Sequence, residues 1–175
     1  MRLFIALNFN ELKEYFSELQ KQLPADDAKL TFPKDFHLTL KFLGEVDDNK
    51  TDEIKQKLSE IKFEPFESDV TNIGFFSEQF LRVVWIKADS KELLDLQKQI
   101  DEKLGEFRRG NLDFQPHITL ARVKWCRDKK GFVEKIRQIR TELKKVKISC
   151  FELVNSVLTP EGPVYEVLES FPKPL

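Results

Sequence analysis

The chain predicts a duplicated α+β fold whose two halves are related by a pseudo-twofold axis. Three observations lead there. A His-aliphatic-Thr-Leu tetrad occurs twice, as His37-Leu-Thr-Leu40 and His117-Ile-Thr-Leu120, and these are the only two histidines in 175 residues. The copies lie 80 positions apart, close to half the chain. The elements around each copy run in the same order: strand, helix, tetrad strand, helix, strand. The second copy adds one strand.

The elements follow from local pattern. Arg2–Asn8 reads as a short buried strand between polar neighbours. Leu12, Tyr15, Phe16, Leu19 and Leu23 recur at helical spacing over residues 11–23, and Pro24 stops that helix. Residues 30–32 form a short extended piece before Pro33. Residues 36–42 form the first tetrad strand, and Gly44 with residues 47–50 mark a turn. Thr51 is the expected N-cap of a helix carrying Ile54, Leu58 and Ile61 on one face. Residues 66–76 read as a strand, with Gly74 a bulge or a close-approach point.

The second copy opens with an apolar strand over 81–88. Ser90 caps a helix over 91–106 with Leu93, Leu96 or Gln97, Ile100 and Leu104 inside. Gly105, Gly110 and Asn111 break the chain before the second tetrad strand, 113–124. Asp128 caps a helix near 129–144. Residues 145–158 read as one long strand, 159–163 as a Pro- and Gly-containing turn, and 164–171 as a last strand.

Composition excludes several classes. Hydrophobic content of 41% with 34% charged residues and sixteen phenylalanines describes a folded chain with a well-filled interior. The 29 basic and 30 acidic residues nearly cancel, which argues against a nonspecific nucleic-acid binder but leaves room for a locally basic cleft. Cys126 and Cys150 form no CxxC pair, so a reduced, cytoplasmic setting is expected. The apolar run at the N-terminus is too short for a signal or membrane segment.

The tetrads carry the chemistry. In a strand, residues i and i+2 share a face, so each tetrad offers His and Thr to one side and two aliphatics to the other. A lone histidine in such a strand is usually structural. Two at matched positions in matched halves, with histidine nowhere else, point to function. A zinc site of two His and two Cys has the wrong spacing, and HExxH is absent, so no metal is expected. Neither tetrad holds a Ser or Cys in a nucleophile elbow. Paired acid–base chemistry fits. Imidazole titrates near neutrality, so one ring can take a proton from an attacking oxygen while the other gives one to a leaving oxygen. Two threonines on the same face can donate to non-bridging phosphate oxygens, where charge builds.

At these residues the chain resembles the two-histidine (2H) phosphoesterase superfamily and, within it, the RNA 2′,3′-cyclic phosphodiesterase family, also called 2′-5′ RNA ligases. The likeness runs through Arg2-Leu-Phe-Ile-Ala-Leu7, His37-Leu-Thr-Leu-Lys-Phe-Leu-Gly-Glu45, Arg82-Val-Val-Trp85, Pro116-His-Ile-Thr-Leu-Ala-Arg122 and Leu158-Thr-Pro-Glu-Gly-Pro-Val-Tyr165. It implies one bilobal domain over residues 1–175: two pseudo-symmetric lobes, two mainly antiparallel sheets, outer helices and a central groove. It implies metal- and cofactor-independent opening of RNA 2′,3′-cyclic phosphate ends to 2′-phosphomonoesters, with 2′-5′ ligation as the reverse. His37 would be the proton donor and His117 the proton acceptor, with Thr39, Thr119 and Arg122 on the phosphate.

Further expectations concern the surroundings. Strand parity puts Arg122 on the face opposite His117 unless a bulge intervenes. The same parity puts Lys41 on the His37 face, as a solvated rim lysine. Phe36, Phe42, Phe75 and Phe76 are candidates to stack a terminal base, although core packing is the ordinary use of such residues. Residues 107–111 read as a basic loop able to track phosphates. The expected partner is cyclic-ended RNA, including tRNA fragments or nucleotides, acted on by a monomer. Alternative substrates are 2′-5′ oligonucleotides or small cyclic nucleotides such as a cyclic phosphate of ADP-ribose. A non-catalytic RNA-end binding module is the alternative from another class.

Overall fold

The two tetrad strands lie side by side at the centre of one antiparallel sheet. The structure, a computed structural model, describes residues 1–107 and 113–173. Its elements are β1 (Arg2–Asn8), α1 (Lys13–Gln22), β2 (Ala28–Thr31), β3 (His37–Glu45), α2 (Thr51–Ser59), β4 (Phe66–Phe75), β5 (Val83–Asp89), α3 (Lys91–Lys103), β6 (His117–Cys126), α4 (Lys129–Gln138), β7 (Lys144–Ile148), β8 (Phe151–Thr159) and β9 (Gly162–Phe171). The strand order is β7-β4-β5-β6-β3-β1-β8-β9, and β2 pairs with the far end of β6. The expected α+β fold stands. Its two sheets are joined into one through the single pair Leu38↔Ile118 between β3 and β6.

The sheet reads the same outward from that junction: β1 answers β5, β8 answers β4, and β9 answers β7. The sheet halves are not the sequence halves, however. β4 comes from the first half of the chain and lies beside β5, whereas β8 comes from the second half and lies beside β1, with β9 outside it. Helices cross over as well, α1 packing on β6 and α3 on β3. The exchange ties both tetrad strands to both halves of the sequence.

One face of the sheet carries the core. Leu3, Ile5, Leu7, Leu38, Leu40, Ile86, Ile118 and Leu120 are buried there with Phe16, Leu19, Ile54, Leu58, Leu93 and Ile100 from the helices. This is the alternation the tetrads predicted: aliphatics toward the helices, His and Thr away from them. The other face carries a small separate cluster of Phe4, Ala6 and Val154 with Tyr165 against it.

Both tetrad strands bulge at the same place. Between Ala6↔Thr39 and Ile5↔Lys41 one residue, Leu40, has no partner on β1. Between Trp85↔Thr119 and Val84↔Ala121, Leu120 has none on β5. Two neighbouring side chains then turn inward in each strand, Leu40 with Lys41 and Leu120 with Ala121, all buried. An extra residue reverses the alternation beyond it.

Several local expectations hold and others change. Ser90 accepts from the Leu93 N–H at 3.1 Å and caps α3, and Asp128 accepts from the Gly131 N–H at 3.0 Å and caps α4. Thr51 does not cap α2, because the chain enters through a 3-10 turn at Asp48–Lys50 that places Thr51 inside the helix. The long strand over 145–158 is two strands, β7 on β4 and β8 on β1, separated by Ser149 and Cys150. A run with no Gly or Pro to interrupt it cannot show that its two ends serve opposite sides of the sheet. α3 and α4 stop at Lys103 and Gln138, short of the predicted 106 and 144. Gly74 pairs with Trp85, and a Cβ there would meet the indole at 2.5 Å, which makes it a close-approach glycine.

Candidate active site

The single pair Leu38↔Ile118 fixes the site. In an antiparallel ladder the flanking residues run past each other, so His37 comes opposite Thr119 and Thr39 opposite His117. Leu38 and Ile118 both point into the core, at 0% exposure. The four polar side chains therefore emerge together on the other face, half-buried.

Aromatic rings enclose each imidazole. Tyr165 from β9 meets His37 edge-on, with centroids 4.8 Å apart and planes at 79°, and Phe4 lies 5.1 Å from the same ring. Phe76, just past β4, meets His117 edge-on at 4.8 Å and 89°, and Trp85 lies at 6.3 Å. The two enclosures match in geometry and differ in chemistry, since only the His37 side carries a phenol. Trp85 also has a buried Nε1–H with no partner among the described residues.

The bulges decide two residues that parity alone misplaces. Beyond Leu120 the alternation of β6 is reversed, so exposed Arg122 joins the face of His117 and Thr119. Beyond Leu40 the same reversal turns Lys41 inward. It is 5% exposed and pairs with Asp101 of α3 at 2.7 Å. Lys41 is thus neither a solvated rim residue nor part of the site. Phe42 takes the place in β3 that Arg122 takes in β6. It is 56% exposed and stands 6.1 Å from Phe4.

Of the four phenylalanines considered for stacking, Phe42 and Phe76 reach the open face. Phe36 is buried against Phe16, and Phe75 packs against the core. Tyr165, Phe4 and Trp85 were not among the sequence candidates. Their signal was present but indirect: each lies in a stretch that carries the family likeness, and Trp85 needs the glycine opposite it. Of the proposed basic loop, residues 108–111 lie outside the described residues. Cys126 and Cys150 are free thiols. Among the described residues, no group of three or more His, Cys, Asp or Glu side chains could hold a metal ion.

The family model described as LigT like Phosphoesterase matches the chain twice, over residues 7–85 and 84–165. The chain belongs to the LigT-like phosphoesterase family. The two matches fall one on each tetrad, as the duplication requires. Relatives named RNA 2′,3′-cyclic phosphodiesterase include one from Methanocaldococcus jannaschii, 34% identical over 98% of this chain and 100% of its own length. One from Archaeoglobus fulgidus is 35% identical over 98% and 99%. A solved structure from Thermus thermophilus superposes with a TM-score of 0.76 at 32% identity, covering 98% of this chain and 97% of that one. E. coli LigT complexed with 3′-AMP shares the fold at a TM-score of 0.76 and 22% identity, covering 97% and 96%. Among the described residues no helix is long and apolar enough to cross a membrane.

The chain is accordingly a phosphoesterase, and the electrostatics of the site suit phosphate. Burial lowers the His37 pKa to about 4; the Arg122 guanidinium and His117 push the same way, and Asp35 opposes them. Burial also lowers the His117 pKa, as does Arg122, whereas a hydrogen bond from the ring to the Gln115 carbonyl opposes the shift. That bond spans 2.7 Å from Nδ1 to the Gln115 oxygen. A carbonyl only accepts, so Nδ1 carries the proton. In the neutral ring Nε2 is then left as the base. Burial raises the Tyr165 pKa, so the phenol stays protonated near neutrality.

Proposed function

We propose that the protein hydrolyses RNA 2′,3′-cyclic phosphate ends to 2′-phosphomonoesters, without a metal, as a cytoplasmic monomer folded as a single two-lobed domain. The observation that carries this reading is the Leu38↔Ile118 pair, which faces two imidazoles and two threonines to one space. The relatives' name supplies the substrate class.

His117 Nε2 takes a proton from water as the water oxygen attacks phosphorus. The P–O3′ bond breaks, and His37 gives its proton to the departing 3′-oxygen. Thr39, Thr119 and Arg122 hold the non-bridging oxygens, where donors that are already in place stabilise the developing charge most. The Gln115 tie supports His117 as the base, because it fixes the tautomer whose free nitrogen is Nε2. His37, at about 4, is neutral in the free protein near pH 7. The anionic phosphate supplies the opposite charge that raises this value in the complex, so the substrate helps to protonate its own acid. With a 5′-hydroxyl in place of water, the same groups in the same roles form a 2′-5′ link as the P–O3′ bond breaks, and the roles are exchanged only when that link is cleaved again by the 3′-hydroxyl.

The test is turnover of a 2′,3′-cyclic nucleotide and of cyclic-ended RNA in excess chelator, with the product regiochemistry read by NMR or digestion. The expected product is the 2′-phosphate. A 3′-phosphate, or turnover only after metal is restored, refutes the proposal.

A further inference from the structure

The groove face of β6 does not end at Arg122. A second bulge follows: Leu30 pairs with Val123 and Lys29 with Trp125, so Lys124 has no partner on β2. The alternation reverses again. Cys126 and Ala28, which pair, pack against the core. Trp125 and Lys29 therefore share the open face with Arg122 and its partner Thr31. Trp125 is 53% exposed, an unusual position for the largest apolar side chain, and the Arg127 guanidinium sits 5.9 Å from its ring. His117, Thr119, Arg122 and Trp125 thus form one file along a single strand. Trp125 stands about 13 Å beyond Thr119 at the ordinary strand rise, with two bulge residues discounted.

The pseudo-symmetric end of the groove differs in charge. Eighty positions back from Arg122, Lys124 and Trp125 stand Phe42, Gly44 and Glu45. The β6 end carries Lys29, Lys124 and Arg127 around an exposed indole, with Asp27 beside Arg127, whereas the other end carries exposed Phe42 and the cross-strand pair Arg2↔Glu45, one charge of each sign. The excess of cations at the β6 end favours that direction for a polyanion that reaches the two histidines. Arg127 is held at 3.7 Å by Asp27, but both side chains are well exposed, and such a pair yields readily to a phosphate.

We propose that Trp125, flanked by Lys29, Lys124 and Arg127, is a stacking platform for single-stranded RNA on the 5′ side of the reacting end. The inference rests on the RNA phosphodiesterase reading. A base stacks on the indole while the cations follow the backbone, a sequence-tolerant mode of single-strand binding. Length selectivity follows: a cyclic mononucleotide occupies only the histidine end, and an oligonucleotide reaches both.

The test compares wild type, Trp125→Ala and Trp125→Phe on a 2′,3′-cyclic mononucleotide and on a cyclic-ended oligoribonucleotide of about six residues, within the range one such surface spans. Trp125→Ala is expected to raise KM on the oligonucleotide about fivefold or more. It leaves mononucleotide kinetics unchanged, and Trp125→Phe recovers most of the loss. Lys29→Ala with Arg127→Ala should flatten the salt dependence of oligonucleotide binding. Equal KM for wild type and Trp125→Ala on the oligonucleotide overturns the platform, as does an equal loss on both substrates. Binding of a 2′-phosphate-ended oligonucleotide, read by quenching of Trp125 fluorescence against the Trp125→Phe background, tests the platform even if turnover fails. Quenching without turnover would overturn the phosphodiesterase reading and keep the platform.

Discussion

Leu38 and Ile118 face each other across the centre of the sheet, each the second residue of a His-aliphatic-Thr-Leu tetrad. Their contact is apolar and buried, yet it sets the polar geometry on the other face, because every neighbour in an antiparallel ladder is fixed by one pair. His37→Ala and His117→Ala should each lower kcat about 10²–10⁴-fold, the usual worth of one general acid or base. Far-UV circular dichroism and thermal midpoint should stay close to wild type. The double variant should lose much less than the product of the two, because an acid and a base in one step act as a unit. Full activity in either single variant would remove that histidine from the chemistry.

The pH profile should be displaced to the acid side. In the free protein both histidines lie below the ordinary value of about 6.5, and His37 lies near 4. In the proposed mechanism the competent form holds a proton on His37 and none on His117. The bell for kcat/KM therefore rises near pH 4 and falls below pH 6.5, with apparent values that belong to the pair. In the complex the phosphate anion favours protonated imidazole, so the falling limb of kcat should lie about one to three pH units higher. Arg122 lowers both values, so Arg122→Gln should move both limbs of kcat/KM upward while raising KM for phosphate-bearing substrate. A profile flat through pH 7.5, or unmoved limbs in Arg122→Gln, contradicts these assignments.

The sequence disclosed the duplication, the face carrying His37, Thr39, His117 and Thr119, and the caps Ser90 and Asp128, because these depend on spacing of a few residues. It could not disclose the bulges after Thr39 and Thr119. A bulge is a relation between two strands, and Leu40-Lys41 and Leu120-Ala121 read as ordinary alternation until their partners are known. That one omission misplaced Lys41 and left Arg122 open. Exchange of β4 and β8 between the sheet halves was hidden for the same reason, since it depends on which strand pairs with which. Tyr165 and Trp85 were missed because an aromatic in an apolar strand carries no mark of the face it takes.

Lys41 tests the bulge directly. Its Nζ is buried and bonded at 2.7 Å to Asp101, which also accepts from Gln97 at 2.7 Å. Lys41→Met should destabilise the protein by somewhat less than the ~3–5 kcal/mol of a fully buried pair, because Asp101 keeps Gln97 and some solvent. Adding Asp101→Leu should recover much of that loss, since two apolar groups need no partner. KM for a cyclic nucleotide should not change in folded Lys41→Met. A rise in KM without loss of stability in urea titrations would return Lys41 to the groove.

Gly74 links packing to catalysis through one ring. A Cβ at this position would stand 2.5 Å from the Trp85 indole, so Gly74→Ala must push the ring off β4. Trp85 lies opposite Thr119 and within 6.3 Å of His117, and its neighbour Phe76 meets His117 edge-on. Displacing the indole loosens the enclosure that holds this imidazole and keeps water from it. Overpacking of this kind costs about 1–3 kcal/mol, which should appear as a lowered thermal midpoint. A better-solvated His117 should also titrate closer to its ordinary value, since burial is the main cause of its depression. The falling limb of kcat/KM should therefore move upward in Gly74→Ala, with reduced kcat. Trp85→Phe in the same background should relieve the clash and restore the midpoint. A lowered midpoint with an unmoved pH profile would show that the ring is packing alone and has no part in setting the base.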